Sequence, residues 1–127
     1  MTAGNKDQII KKRNTRQRGS QGEAAAANFL NGKGYRVIST GYRTRFGEID
    51  IIAEYKEFIV FVEVKLRKNA NFAHAREHVG KTKQRKIITT AGLWLARYKS
   101  QLQPRFDVIE VYTENPEINH IENAFGV

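Results

Sequence analysis

Glu48-Ile49-Asp50-Ile51-Ile52-Ala53 and, after the polar link Glu54 to Glu57, Phe58-Ile59-Val60-Phe61-Val62-Glu63-Val64-Lys65-Leu66-Arg67 read as two β-strands forming a hairpin. Side chains alternate across a strand, so Phe58, Val60, Val62, Val64 and Leu66 share one apolar face that must be buried. On the other face Ile59 and Phe61 give way to Glu63, Lys65 and Arg67, so that face leaves the core as the strand proceeds. A short loop predicts opposed residues whose numbers sum to 111, pairing Ile52 with Ile59, Asp50 with Phe61 and Glu48 with Glu63. Ile49, Ile51 and Ala53 then join the valines, while Glu48, Asp50, Glu63 and Lys65 gather on the opposite side.

Three carboxylates crowded at one end of a hairpin repel one another unless a positive charge sits among them. Lys65 is one candidate for that charge and a hard divalent cation, Mg²⁺ or Mn²⁺, is another, since such ions take one or two protein carboxylates plus water and phosphate. An Asp and a Glu on adjacent strands, with a Lys two residues beyond the Glu, supply what phosphodiester hydrolysis requires. The same spacing also fits a salt-bridge cluster on a half-exposed strand.

Outward from the hairpin, Ser20 to Asn31 is a predicted helix, with Ala24 to Ala27 as strong formers and Gly32 and Gly34 as stops. Tyr35 to Arg43 reads as a strand. Between Lys81 and Lys99 the residues Ile87, Ile88, Ala91, Leu93, Trp94, Leu95 and Tyr98 recur at helical spacing, and Trp94 and Tyr98 are expected in the core. Arg105 to Tyr112 and Ile118 to Phe125 are further strands. The order αβββαββ predicts a single α/β domain, a mixed sheet flanked by helices with a parallel crossover through the long helix. Residues 1 to 18 form a basic arm, either disordered or extending the first helix, and residues 19 to 127 the domain proper.

With 127 residues the chain has the length of one ordinary domain. Its 22 Lys and Arg against 13 Asp and Glu give +9, but unevenly: residues 1 to 105 carry all the bases and only eight acids. Such an excess points to a polyanionic partner, nucleic acid before an acidic membrane surface or an acidic protein. The chain contains no cysteine, which excludes disulfides, thiol nucleophiles and cysteine-ligated zinc. The longest apolar run, Phe58 to Val62, is far short of a membrane span or signal-peptide core, so a cytoplasmic location is expected.

The stretches Gly47 to Ile52 and Phe61 to Arg67 resemble the motif core of the PD-(D/E)XK, or restriction-endonuclease-like, nuclease superfamily. From about Arg18 onward the chain more closely resembles the YraN-type family of uncharacterised bacterial proteins, itself similar to archaeal Holliday-junction resolvases. Gly22-Glu23 with the alanine-rich helix, Gly34-Tyr35, Lys83-Gln84-Arg85 and Arg105-Phe106-Asp107-Val108 carry the rest of the likeness. The resemblance implies a restriction-endonuclease-like fold and a metal-dependent endonuclease acting on DNA, with branched or structured DNA as substrate. It implies Asp50 and Glu63 as ligands of Mg²⁺ or Mn²⁺, Lys65 as the catalytic lysine and Glu23 as the helix-borne acid completing the site. Symmetrical resolution of a four-way junction would further require a homodimer. Leu66 stands where a threonine is usual, and the glycine and proline expected around residues 73 to 75 are replaced.

Other residues admit rival readings. Ser20-Gln21-Gly22-Glu23 also fits a capping box, with Glu23 returning a hydrogen bond to the Ser backbone. His74 and His78 are four apart but lack the Glu of a zinc-protease helix, so exposed or phosphate-facing histidines are expected. Lys81, Lys83, Arg85 and Lys86, with Gln84 among them, cluster at a helix start where the macrodipole disfavours cations, an arrangement that a phosphate partner would make sensible. Arg43, Arg45, Arg67 and Lys68 flank the carboxylates as further phosphate contacts. Asp107, at a strand start, reads as structural, pairing with Arg105 or a helix end. A nucleic-acid-binding protein that does not cleave is the alternative to the nuclease.

Overall fold

The computed structural model describes residues 21–69, 79–115 and 117–126. The basic arm, His74 and His78, and the departures near residues 73 to 75 lie outside them, as does Ser20 of the capping box. A helix over 21–32 (α1) precedes strands β1 (Arg36–Thr44), β2 (Gly47–Tyr55) and β3 (Phe58–Arg67), then helix α2 (Lys81–Tyr98), β4 (Gln103–Tyr112) and β5 (Glu117–Phe125). The five strands form one mixed sheet in the order β1-β2-β3-β4-β5. Pairing is antiparallel except between β3 and β4, which run parallel because α2 carries the chain back across the sheet. This is the α/β architecture expected, with a helix against each face.

Each face has its own core. Ala26 and Leu30 of α1 pack with Ile51, Ala53, Val60, Val62 and Ile109, whereas Ile87, Ala91 and Trp94 of α2 pack with Ile49, Ile52, Ile59, Phe61, Phe106 and Val108. The two sets take alternate residues of β3, since a strand buried on both faces is apolar at every position. Ile87, Thr90, Ala91 and Trp94 make one stripe along α2, and Thr90 bonds its own helix at Lys86 O, 2.7 Å away. Two glycines allow close approach: a side chain at Gly22 would meet Leu66, bringing the start of α1 onto the end of β3, and one at Gly47 would meet Thr90 and Lys86 of α2.

Three expectations are corrected. The hairpin turn is Lys56-Glu57, with Lys56 in the left-handed region (φ 52°), so Tyr55 opposes Phe58 and Ile52 opposes Phe61, pairs whose numbers sum to 113. Ile52 is therefore not opposite Ile59. A shift of two residues leaves the facing of the side chains unchanged. Ile49, however, lies in the core under α2 and not with Ile51 and Ala53. The pairing of β2 with β3 ends at Ile51, although β2 stays paired with β1 as far as Gly47. Beyond Ile51 the strands part, and alternation along β2 no longer follows the sheet. Tyr98, finally, is 55% exposed; as the last residue of α2 it projects past the apolar stripe and tilts against Trp94, with ring centroids 4.9 Å apart.

Candidate active site

The parting of β2 and β3 places Asp50 at the fork. Its Oδ2 accepts a hydrogen bond from Val64 N–H at 2.8 Å, so a carboxylate occupies the place of a strand partner. Glu63 and Lys65 follow on the α2 side of β3. From the other side Glu23, in the first described turn of α1, comes close enough to Asp50 for the two carboxyl groups to interact. Lys83, in the first turn of α2, reaches Glu63 with Nζ–Oε1 of 3.1 Å, and its charge bears on Lys65. Four elements thus bring three carboxylates and two ammonium groups together at one end of the sheet.

The electrostatics follow from this crowding. Burial, then the charge of Asp50, pushes the Glu63 carboxyl up to about 7, against the pull of Lys83 and Lys65. Glu63 is only 7% exposed. Burial, Asp50 and Glu48 likewise raise Glu23, with a smaller opposing effect of Arg43. Burial and the Lys83 charge hold Lys65 below the ordinary lysine range, although Glu63 counteracts them. Lys83 goes the other way: burial disfavours its charge, but Glu63 and Asp50 outweigh that and raise it.

This predicts a pH-dependent stability. Glu63 binds its proton more tightly in the folded chain than in the unfolded one, so its stabilising contribution is complete below about pH 4.5 and is lost as pH rises through about 7. Glu63→Gln is expected to be more stable than the wild type at about pH 8, by about 1–3 kcal/mol in metal-free buffer, with the advantage disappearing below about pH 5. Urea unfolding at several pH values measures it; an advantage independent of pH would contradict the assignment.

A divalent cation is compatible with this donor set. Asp50 and Glu63 are hard oxygen donors, and the charge of Asp50 disfavours ionisation of the buried Glu63, the condition a cation relieves. Among the described residues no group of three or more His, Cys, Asp or Glu side chains is arranged to hold a metal. The protein would accordingly supply two carboxylates, leaving the remaining positions to water and phosphate.

The expected phosphate contacts fall into two sets. Arg43, Arg45 and Lys86 line a 290 Å³ hollow with Glu48 at the β1–β2 turn; Arg43 pairs with Glu48 at 3.1 Å and Arg45 lies over the Phe46 ring. Lys83 and Lys86 line the adjoining 410 Å³ hollow with Gly80 and Thr82, and Lys81 and Arg85 are exposed on the same helix. Gln84 turns inward, its Nε2 donating to Val79 O at 2.6 Å. On the other side, Arg67 is nearly buried in an ion pair with Glu110 (3.4 Å), and Lys68 pairs with Glu114 at 3.8 Å. A larger 770 Å³ cavity, lined among others by Arg36, Tyr55, Trp94 and Tyr98, includes none of the site carboxylates.

Two features escaped the sequence reading. Lys83 belongs with the carboxylates themselves; its one signal was a cation in the first turn of a helix that has no acid there. The second is a buried polar network. Asp107 pairs with Arg105, as expected, but also accepts from His120 Nε2 at 2.7 Å and from Asn123 N–H at 3.0 Å. Arg105 in turn donates to Tyr35 Oη at 2.6 Å. His120 gave no sign of this, because its partner is on another strand.

Comparison with known proteins agrees over the same region. The model of Uncharacterised protein family UPF0102 matches residues 22–111, from the start of α1 into β4. A UPF0102 protein of Caldanaerobacter subterraneus is 47% identical over 123 residues, covering 91% of this chain and 100% of that protein. Those of Clostridioides difficile and Vibrio parahaemolyticus are 44% and 45% identical, covering 88% and 87% of this chain and 99% and 93% of theirs. The matched span carries all five residues of the carboxylate and lysine cluster, and on this likeness the chain belongs to the uncharacterised family UPF0102.

Proposed function

We propose that the protein is a metal-dependent endonuclease of the restriction-endonuclease-like type that hydrolyses phosphodiester bonds of DNA, with branched or structured DNA as the substrate class. The observation that carries this reading is the fork between β2 and β3, where Asp50 meets the Val64 N–H, its charge bears on the buried Glu63, and Lys65 follows Glu63 two residues later on the same strand. The resemblance to PD-(D/E)XK nucleases and the element order αβββαββ support it.

Asp50 and Glu63 would hold Mg²⁺ or Mn²⁺, which when bound supplies Lewis acidity at the phosphate and a lowered pKa for an attacking water. Asp50 is fixed for this by the Val64 N–H, with Glu23 beside it as a third carboxyl. Lys65 places an ammonium group beside the reacting phosphate, orienting the water or stabilising the charge that develops. Arg43, Arg45, Lys81, Arg85 and Lys86 hold the flanking backbone. Glu63 and Lys83 neutralising each other favour a second reading, a DNA-binding protein that does not cleave.

The test is incubation of the protein with junction, flap, single-stranded and duplex DNA, with and without Mn²⁺. Nicks that need the ion, and are most frequent on branched substrates, are expected; binding without nicks on any substrate would leave the second reading. Both readings predict affinity that falls about a hundredfold between about 50 and 200 mM salt, the loss for roughly four neutralised phosphates. Affinity indifferent to salt, measured by fluorescence anisotropy, would remove nucleic acid as the partner.

A further inference from the structure

We infer that Lys83 is a displaceable internal counter-ion: it holds the Asp50–Glu63 carboxylate pair in the absence of a divalent cation and leaves Glu63 when the ion binds. The inference rests on the metal-binding reading of those carboxylates. Its basis is the asymmetry of the ion pair, whose Glu63 side chain is 7% exposed and whose Lys83 side chain is 47% exposed. Glu63 is fixed on β3 by the pairing of its strand with β4, opposite Val108, and its short side chain stays buried there. Lys83, on the outer turn of α2, returns to solvent by rotating its own side chain. The mobile partner is therefore the cation.

Charge balance points the same way. Among the described residues Glu23, Asp50 and Glu63, if all ionised, are faced chiefly by Lys65 and Lys83, since Arg43 is paired with Glu48 and Arg67 with Glu110. That leaves one negative charge in excess. A divalent ion added with Lys83 in place reverses the excess, whereas one that replaces Lys83 brings the cluster to neutrality. Lys83 also lies close enough to Lys65 for the two like charges to repel, an approach that the carboxylates stabilise and a divalent cation would not. The position in the chain is otherwise unfavourable: α2 has no side-chain cap and no acid in its first turn, so a lysine there sits at the positive end of the helix dipole.

A merely structural ion pair and a displaceable one differ in what happens to metal affinity when Lys83 is removed. Mn²⁺ binding without DNA, measured by titration calorimetry on the wild type, Lys83→Gln, Lys83→Arg, Asp50→Asn and the Asp50→Asn/Lys83→Gln double variant, separates them. Lys83→Gln is expected to bind Mn²⁺ at least about tenfold more tightly, because a competing unit charge next to the ion is gone. Lys83→Arg retains the charge and should stay close to the wild type, and in the Asp50→Asn background the gain should vanish. Glu63→Gln/Lys83→Gln, lacking both partners, serves as the folded control should Lys83→Gln alone be too unstable, and it is expected to bind no more tightly than Glu63→Gln. Equal or weaker Mn²⁺ binding by Lys83→Gln would overturn the role of Lys83 and leave the metal site standing. Absence of any Asp50-dependent Mn²⁺ binding in all of these proteins would overturn both.

Discussion

Asp107→Ala is expected to lower the stability of the fold by about 3–5 kcal/mol. Asp107 is wholly buried, and its two oxygens accept four hydrogen bonds, two from Arg105, one from His120 and one from the Asn123 backbone. Removing the carboxylate leaves the Arg105 guanidinium, 8% exposed, with Tyr35 Oη as its remaining hydrogen-bond partner of the pair's original set, and an uncompensated buried charge is among the costliest single defects. The loss is in the anchoring of β5 and α1 to β4, since His120 lies on β5 and Tyr35 just after α1. Urea unfolding at neutral pH reads it directly. The double variant Arg105→Met/Asp107→Leu should recover much of the loss, because both charges go together; a double variant as unstable as the sum of the singles would mean that the pair is not the cause.

The same network predicts the acid limb of stability. Burial pushes the Asp107 carboxyl up, but the hydrogen bonds from His120, Arg105 and Asn123 outweigh it and hold it below its ordinary value of 3.8. Its contribution is therefore present above about pH 4 and is lost as pH falls through the lower folded value. This slope opposes that of Glu63, which weakens the fold as pH rises toward 7.

Lys65→Ala is expected to reduce Mn²⁺-dependent cleavage by roughly 10²–10⁴, the range for removing a group that stabilises charge in the transition state. DNA affinity should change by no more than about threefold, since one ammonium group among several neutralises at most one phosphate. Lys65 would act in this way from a partly buried position beside Glu63. Single-turnover cleavage and anisotropy on the same substrate separate the two effects. A parallel fall in both would make Lys65 a binding residue.

Much of this was legible in the sequence, for identifiable reasons. The hairpin, α2 and the parallel return to β4 follow from apolar periodicity, which depends on local residues alone. The hairpin register was not legible: the left-handed turn position is Lys56, and no glycine, asparagine or aspartate marks it. Ile49 was misplaced because the parting of β2 from β3 depends on Asp50 meeting Val64 N–H, a contact fourteen residues away in the chain. Strand β4 begins at Gln103, ahead of the expected Arg105 and through Pro104, because Gln103 N–H donates to Glu57 O at 2.8 Å. Asp50, Glu63 and Lys65 could be recognised together because they lie within one hairpin. Glu23 and Lys83 approach them from separate helices, and only their types and the resemblance marked them.

A divalent cation held by Asp50 and Glu63 is what the proposed cleavage of DNA requires. Single-turnover cleavage of end-labelled junction DNA with Mn²⁺, by the wild type and Asp50→Asn side by side, tests it most directly. Ion-dependent nicking by the wild type and a loss of at least about a hundredfold in Asp50→Asn, with junction binding retained, is the predicted result; no ion-dependent nicking by the wild type, or equal nicking by the two proteins, would contradict it.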